Sequence, residues 1–244
     1  MLQPHLKIDK IEKYVILLSG DPEMEGTALK YLDKTEQISN NKGYKTFGGR
    51  YKGIGISIVS TGIGCPSAAI AVEELAPLKP DTIIRIGTCG GLLKEMNAGD
   101  IAIPYEAMCC DGTTKEYDSK IIKTKASKEI FSTLSQTAEK LSIKYFTGVN
   151  RTHDAFYEPT KNFTKLSGKK LITSEMECSA VFFVSKLRNI RSGAVLIVNT
   201  PEQPEEVAKD PSILYRLIDE KKVRLGKDNA VKIALETIRY LKLR

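Results

Sequence analysis

The sequence predicts an α/β fold, because two kinds of hydrophobic pattern alternate along it. Short runs of aliphatic and β-branched residues, such as 14–18 and 82–86, predict buried strands. Apolar residues at helical spacing follow them, and glycine-rich or polar loops separate the two patterns. The 244 residues, 41% of them hydrophobic, can bury a full core, and no linker or repeat interrupts them. We therefore expect residues 1–244 to form a single domain.

The elements can be placed coarsely. Strands are predicted at 14–18, 54–60, 82–86, 100–104, 144–149 and 194–198. Helices are predicted at 27–32, after Pro66, over 127–142, from about residue 174, and over 229–243. Four strands end in loops of small or polar residues: Gly20-Asp21, Thr61-Gly62, Gly87-Thr88 and Asn199-Thr200. Ligands of open α/β sheets bind beyond the carboxyl ends of strands, so we expect a binding site at these loops.

Composition excludes several classes of protein. The five cysteines show no C-x-x-C spacing, and the two histidines, His5 and His153, form no cluster, so neither a zinc site nor a disulfide framework is expected. No secretory signal or membrane-spanning run is found, so we expect a cytoplasmic protein. The net charge of +7 comes from dispersed basic residues. We interpret it as a surface that attracts anionic substrates, not as a nucleic-acid interface.

Arg85 carries the first chemical signal, because it stands among isoleucines in the predicted strand 82–86. A buried guanidinium is costly unless an anion or a hydrogen-bond acceptor meets it. An oxyanion site and a structural ion pair both satisfy this requirement. The strand that ends at the Gly20 turn offers outward backbone N–H groups, which also suit an anion. The Gly62-Ile63-Gly64 loop is not a dinucleotide fingerprint, because Ser67 replaces the third glycine.

Four motifs occur together and in order: Gly20-Asp21-Pro22, Ser60-Thr61-Gly62-Ile63-Gly64, Arg85-Ile86-Gly87-Thr88-Cys89-Gly90 and Glu175-Met176-Glu177. In this combination the sequence resembles the nucleoside phosphorylase family, in the branch of hexameric purine nucleoside phosphorylases and uridine phosphorylases. It looks closest to uridine phosphorylase. The resemblance implies a central mixed, twisted sheet flanked by helices on both faces. It also implies reversible phosphorolysis of a nucleoside, leaning to uridine, into free base and pentose 1-phosphate.

The resemblance assigns residues to each part of the substrates. The phosphate-binding residues would be Gly20, Lys42, Arg85 and Thr88. The ribose-binding residues would be His5, Met176 and Glu177, with His5 reaching a neighbouring subunit's substrate. The base-binding residues would be Cys89, Gly90, Phe156 and Glu175. The catalytic residues would be Arg85, Glu177 and Glu202, the last as general acid. No metal or organic cofactor is implied, since inorganic phosphate is itself a substrate. Because Lys42 and His5 would complete a neighbour's site, the resemblance implies a homo-oligomer, at least a dimer and by expectation a hexamer.

The chemistry suits these roles. Glycosidic cleavage develops positive charge on the sugar, which a nearby carboxylate and a phosphate dianion both stabilise. Arginine suits phosphate because its planar fork makes bidentate contacts. Plainer interpretations stay open: Glu177 as a carboxylate at a helix start, Phe156 as core, Cys89 as a buried filler and His5 as a surface residue.

The sequence also departs from the family pattern. Met24 stands where the family places a phosphate-binding arginine, and Lys42 replaces a second one. The insertion that reads uracil is missing, which leaves purine nucleosides as alternative substrates. Glu25 stands where related nucleosidases place the glutamate that activates water, so hydrolysis is an alternative reaction. A non-catalytic protein that binds nucleoside or phosphate is a further alternative.

Overall fold

The structure, a computed structural model, describes residues 2–157, 171–201 and 218–243. The strands are β1 (Tyr14–Leu18), β2 (Asp33–Asn41), β3 (Tyr44–Tyr51), β4 (Ile54–Ser60), β5 (Thr82–Gly91), β6 (Ile101–Cys110), β7 (Lys123–Lys125), β8 (Tyr145–His153), β9 (Leu171–Glu175) and β10 (Arg191–Pro201). The helices are α1 (Pro22–Leu29), α2 (Cys65–Leu75), α3 (Thr113–Tyr117), α4 (Lys128–Lys140), α5 (Cys178–Leu187) and α6 (Glu220–Lys242).

The strands form one mixed sheet. From one edge the order is β2, β3, β4, β1 and β5, and from β5 the sheet continues through both β9 and β10. Strands β10, β6, β8 and β9 follow one another and return to β5, so five strands close into a ring. Strands β1, β4, β5 and β10 run parallel, whereas β2 and β3 form an antiparallel hairpin. The parallel strands therefore end at one edge of the sheet, which is where the predicted loops lie.

Helices cover both faces of the sheet, and each face has its own core. Alternation along β1 places Val15 and Leu17 toward α2 and α5, and Ile16 and Leu18 toward α1, α4 and α6. The predicted α/β architecture, with a mixed sheet between two helical layers, is confirmed. In β5 the same alternation places Ile84 and Ile86 on the second face, so Arg85 belongs to the face of α2 and α5. No helix of the described ranges is both long and apolar enough to cross a bilayer.

Several boundaries differ from the predictions, and the differences share a cause. Strand β8 continues through Asn150 and Thr152, where a polar loop was predicted, and β9 was not predicted at all. Both segments are rich in buried polar residues that pair with one another, and hydrophobic periodicity does not detect such strands. The helix predicted from about residue 174 therefore begins later, at Cys178.

Helix α1 also differs from its prediction, because it begins at Pro22 instead of residue 27. The side chain of Asp21 accepts hydrogen bonds from the backbone N–H groups of Glu23 and Met24, at 2.9 and 3.3 Å. An Asp N-cap followed by proline at the first helical position is a strong start signal. The Gly20-Asp21-Pro22 motif is therefore the junction between strand β1 and helix α1.

Candidate active site

A cavity of about 350 Å³ opens at the edge of the sheet where the parallel strands end. Each contributing strand places at least one residue in its lining: Gly20 follows β1, and Thr88, His153, Glu175 and Thr200 belong to β5, β8, β9 and β10. The closure of the five-stranded ring brings β8 and β9 beside the ends of β5 and β10. The cavity is therefore a product of the sheet topology.

Arg85 lies at the floor of this cavity with 1% of its surface exposed. Its Nη2 donates to Glu175 Oε2 at 2.8 Å and also to Glu177 Oε2. Its Nε and Nη1 are buried and have no hydrogen-bond partner among the residues that the structure describes. A buried guanidinium with unsatisfied donors is costly, so these donors are suited to an anionic ligand that enters the cavity.

Glu175 is held entirely by the protein. Its Oε1 accepts from Asn150 Nδ2 at 2.7 Å and from Thr152 Oγ1 at 2.6 Å. Its Oε2 accepts from Arg85 and from the backbone N–H groups of Glu177 and Cys178, at 2.8 and 2.9 Å for the two amides. Burial alone would raise the pKa of Glu175, but Arg85 and these hydrogen bonds outweigh it and lower the pKa. Although it lines the cavity, Glu175 acts as the anchor of Arg85.

Glu177 has the opposite electrostatic character. Its Oε1 accepts from the backbone N–H of Gly64 at 2.7 Å, and its Oε2 accepts from Arg85. Burial raises the pKa of Glu177 above its ordinary value; Arg85 offsets part of this, and the nearby charge of Glu175 adds to it. Gly64 has a φ of +99°, a conformation that favours glycine, so the glycine loop is shaped to aim this N–H at the carboxylate.

The predicted site residues fall into three groups. Nine of them line the cavity: Gly20, Arg85, Thr88, Cys89, Gly90, Phe156, Glu175, Met176 and Glu177. His5 and Lys42 are not in its described lining, and Glu202 lies outside the described residues. Phe156 is 59% exposed at the cavity, so it is not a core residue.

His5 and Lys42 lie close to each other. The His5 backbone N–H and ring both contact the carboxylate of Glu74, with Nδ1 2.5 Å from Oε1. Lys42 occupies the turn between β2 and β3, and the neighbouring Asn41 donates from Nδ2 to the His5 carbonyl at 2.8 Å. The hairpin tip and the N-terminal segment thus form one unit.

Met24 and Glu25, the two residues of α1 at which the sequence departs from the family pattern, both lie away from the cavity. Met24 is 1% exposed and belongs to the core between α1, the sheet and α6, so its side chain cannot reach the cavity. Glu25 accepts from Lys45 Nζ at 3.3 Å and is not in the described lining of the cavity. The position of Glu25 therefore offers no support for a role in activating water.

The cavity also contains residues that sequence reasoning did not assign. They are Ser19, Asp21, Ile63, His153, Ser174, Asn199, Thr200 and Ile218. His153 could have been suspected because it is one of only two histidines. Asn150 and Thr152, which anchor Glu175, had no sequence signal, because their role depends on the pairing of Thr152 with Glu175 across β8 and β9.

One cluster within the described residues has the composition of a metal site. The ligand atoms of Cys65, Asp111 and Asp154 lie within 4.8 Å of one another. However, Asp111 already accepts from Thr114 and Ser179, and Asp154 accepts from the backbone N–H of Gly112. These hydrogen bonds explain the cluster as a loop anchor, and we assign no metal to it.

Comparisons with known proteins agree on one family. Residues 14–238 match the family model described as the phosphorylase superfamily. The guanosine phosphorylase of Halorubrum lacusprofundi is 33% identical over 81% of this chain and 83% of its own length. The uridine phosphorylase of Thermococcus kodakarensis is 32% identical over 96% of this chain and 87% of its own length. The crystal structure of uridine phosphorylase from Vibrio fischeri superposes with a TM-score of 0.86 at 31% identity, covering 98% of this chain and 97% of that one.

Proposed function

The chain belongs to the phosphorylase superfamily, and we propose that it catalyses the reversible phosphorolysis of a nucleoside into free base and pentose 1-phosphate. The observation that supports this most directly is the state of Arg85. Its Nη2 is held by two carboxylates, while Nε and Nη1 have no partner among the described residues. A guanidinium that served only as an internal ion pair would have no reason to leave these donors unpaired.

Phosphate would bind between the unpaired Nε and Nη1 donors of Arg85, Thr88 and the Gly20 turn. Gly20 has a φ of +70°, and a side chain there would come within 2.5 Å of the Thr61 carbonyl, so only glycine fits where this turn packs against the loop after β4. Lys42 of a neighbouring subunit would add a further positive charge. The guanidinium, fixed by its two carboxylate partners, would orient the phosphate so that one oxygen faces the sugar.

The sugar would lie against Met176 and Glu177, with the carboxylate accepting from its hydroxyls. In the reaction a phosphate oxygen forms a bond to C1′, the C1′–N bond breaks, and its electron pair leaves with the base, which takes up a proton. Positive charge develops on the sugar in between, and Glu177 and the phosphate stabilise it from two sides. Ionised Glu177 is the form that this role requires.

We propose that the base lies at the end of the cavity formed by Cys89, Gly90 and Phe156. The preference leans to uridine, in line with the uridine phosphorylases among the relatives, and a purine nucleoside is the alternative because a guanosine phosphorylase is equally similar. Glu202 is proposed as the proton donor to the leaving base. Replacement of Glu202 by Gln is expected to lower kcat, because the leaving base would lose its proton donor.

The reaction is tested by incubating uridine, inosine and guanosine with and without phosphate and separating pentose 1-phosphate from free pentose. We expect base release to require phosphate. Arg85→Met is expected to lower kcat/KM at least about 100-fold, and Arg85→Lys to recover only part of it, because lysine keeps the charge but not the fork. Arg188→Met, which removes an exposed arginine paired with Glu73, is the matched control.

The outcomes separate the alternatives. Release of base at the same rate without phosphate, with free pentose as product, would identify a nucleosidase. Thermal stabilisation by nucleoside and phosphate without any turnover would identify a binding protein. Phosphate-dependent release that Arg85→Met leaves intact would contradict the role proposed for Arg85.

We further propose a homo-oligomer, with a dimer as the smallest active unit and a hexamer as the expected assembly. Support comes from His5 and Lys42, which form one unit with the hairpin tip and are not in the described lining of their own cavity. Light scattering should report a dimer or larger. Inactive Arg85→Met subunits mixed with weakened Lys42→Met subunits should regain activity, because some interfaces then contain one intact site. A monomer with full activity would reject the proposal.

A cytoplasmic location is proposed on the state of the thiols. Cys65, Cys109, Cys110 and Cys178 are free, and all of these but Cys110 are buried. Unpaired cysteines are typical of reducing compartments. Fractionation of the cells that produce the protein would test this location.

A further inference from the structure

Lys227 of α6 is a buried cation that pairs with Asp21, a residue of the cavity lining. Its side chain is 8% exposed, and its Nζ lies 2.6 Å from Asp21 Oδ2 and 2.6 Å from Glu23 Oε2. Burial alone would lower the pKa of Lys227, but hydrogen bonds and charges from these two carboxylates outweigh it and raise the pKa. The ammonium is therefore charged at neutral pH.

Close packing of α6 against the sheet determines where Lys227 lies. A side chain at the preceding Gly226 would come within 2.6 Å of the Gly99 carbonyl and 2.7 Å of Ile197 Cγ2. Gly99 itself has a φ of +87°, and a side chain there would meet the Lys222 carbonyl at 2.3 Å. The backbone of α6 therefore sits directly on the turn before β6 and on β10. This contact leaves Lys227 facing the start of α1.

The two partners of Lys227, Asp21 and Glu23, lie at the start of α1, beside the Gly20 turn of the cavity. Asp21 follows Gly20, lines the cavity and caps α1 through its other oxygen. Glu23 is in the first turn of the same helix, where it also pairs with Arg224 at 2.8 Å. Two carboxylates beside a bound phosphate dianion would repel it. Helix α1 offers no cation of its own, because Pro22–Leu29 contains no basic residue.

We propose that Lys227 is a positioning residue for phosphate. Its ammonium neutralises Asp21 and Glu23 and holds the Gly20 turn in place, so that the phosphate dianion can bind. This inference rests on the proposed phosphorolysis and extends it to a residue on the last helix. It also explains how the chain tolerates Met24 in place of a cation on α1. The charge balance at the turn is supplied from α6 instead.

The charge role can be separated from a merely structural one by kinetics. Lys227→Met is expected to raise the KM for phosphate about tenfold while the KM for nucleoside changes less than about twofold. Lys227→Arg should stay within about threefold of the parent, since it keeps the charge. Lys232→Met removes a lysine of the same helix that pairs with Asp228 at 2.8 Å, and it is the matched control.

The deciding variant is the triple substitution Asp21→Asn, Glu23→Gln, Lys227→Met. It removes both carboxylates together with the ammonium, and asparagine still caps the helix. If repulsion is the cause, the triple variant binds phosphate better than Lys227→Met alone, whether or not the single variant is less stable. A triple variant as poor as the single one, or an equal rise in KM for both substrates, would overturn the proposal.

Calorimetric titration with inorganic phosphate repeats the comparison without turnover. The expected order of affinity is parent and Lys227→Arg first, the triple variant next and Lys227→Met last. If the parent binds phosphate in this order but releases base without consuming it, the proposed reaction fails and the role of Lys227 stands. If the parent performs phosphorolysis and Lys227→Met matches it in phosphate affinity, the role of Lys227 fails alone. A parent with no phosphate binding would reject both.

Discussion

The guanidinium of Arg85 occupies the space that a side chain at residue 87 would fill. A Cβ built on Gly87 would lie 1.8 Å from Arg85 Nη1 and 2.6 Å from its Cζ. Residues two apart in a strand share a face, so the Arg85 side chain runs along β5 over the bare backbone of residue 87. The Arg-Ile-Gly spacing is therefore a steric requirement of the site, because it lets the arginine side chain lie along the strand over residue 87.

Gly87→Ala should disable the site without removing any functional group. Alanine would push Arg85 away from Glu177 and from the phosphate position, and a displacement of about 1 Å at a reacting centre can cost about 100-fold in rate. We expect kcat/KM for phosphate to fall by at least that factor. Gly26→Ala on α1, where an added Cβ meets nothing within 4 Å, is the control and should keep full activity. An active Gly87→Ala protein would show that Arg85 is not needed in this position.

Thr152 tests the anchor of Glu175. Its hydroxyl donates to Glu175 Oε1 at 2.6 Å and accepts from the backbone N–H of Ser179 at 3.0 Å. Thr152→Val keeps the shape but leaves the Ser179 N–H unpaired in the core and removes one of the two hydrogen bonds to Glu175 Oε1, which is expected to lower the free energy of unfolding by about 2–3 kcal/mol. Thr152→Ser keeps the hydroxyl and should cost less than about 1 kcal/mol. Denaturant unfolding of the two variants measures the difference, and equal losses would argue against the anchor.

Glu177 predicts a pH dependence of nucleoside binding. Its pKa is raised, chiefly by burial, so its protonated form persists to higher pH than for an ordinary glutamate. Only the ionised form accepts from both sugar hydroxyls, so affinity should fall as the pH drops through this raised pKa. Calorimetry of nucleoside binding without phosphate avoids the titration of phosphate itself. Glu177→Gln should bind weakly at every pH, and a Gln variant that keeps the same pH profile would assign the titration to another group.

Glu236 of α6 predicts a loss of stability in acid. Burial alone would raise its pKa, but hydrogen bonds from Lys52, Tyr51 and Arg239 outweigh it and lower the pKa to about 2. A lowered folded pKa stabilises the protein above the unfolded value, near 4.5, and this contribution is lost as the pH falls toward 2. Because Lys52 is exposed, solvent screens part of its interaction with Glu236; with this allowance, the contribution to the free energy of unfolding is about 2 kcal/mol. In thermal melts, Glu236→Gln should have a lower melting temperature than the parent at pH 6. On acidification, its melting temperature should fall less than that of the parent.

Much of the fold and of the site could be predicted from the sequence, because hydrophobic periodicity, helix start signals and short motifs are local in the chain. Buried strands β1, β4 and β5 follow from aliphatic runs, and α2 and α4 from helical spacing and start signals. The family followed from four motifs in order, and the match over residues 14–238 confirms it. Nine of the predicted site residues share one cavity, since they lie on strands and loops that meet at one edge of the sheet.

What the sequence alone determined is thus the α/β class, the family and the presence of a costly arginine in a strand. Only the tertiary structure decided what that arginine meets: Glu175 as an anchor, Glu177 with a raised pKa, and donors left for an anion. It also decided that Asn150 and Thr152 are strand residues and that Lys227, far along the chain, balances the charge of Asp21. The physical reason is that electrostatic and hydrogen-bond partners are chosen by distance in space. Register and helix packing set those distances, and hydrophobic pattern does not encode them.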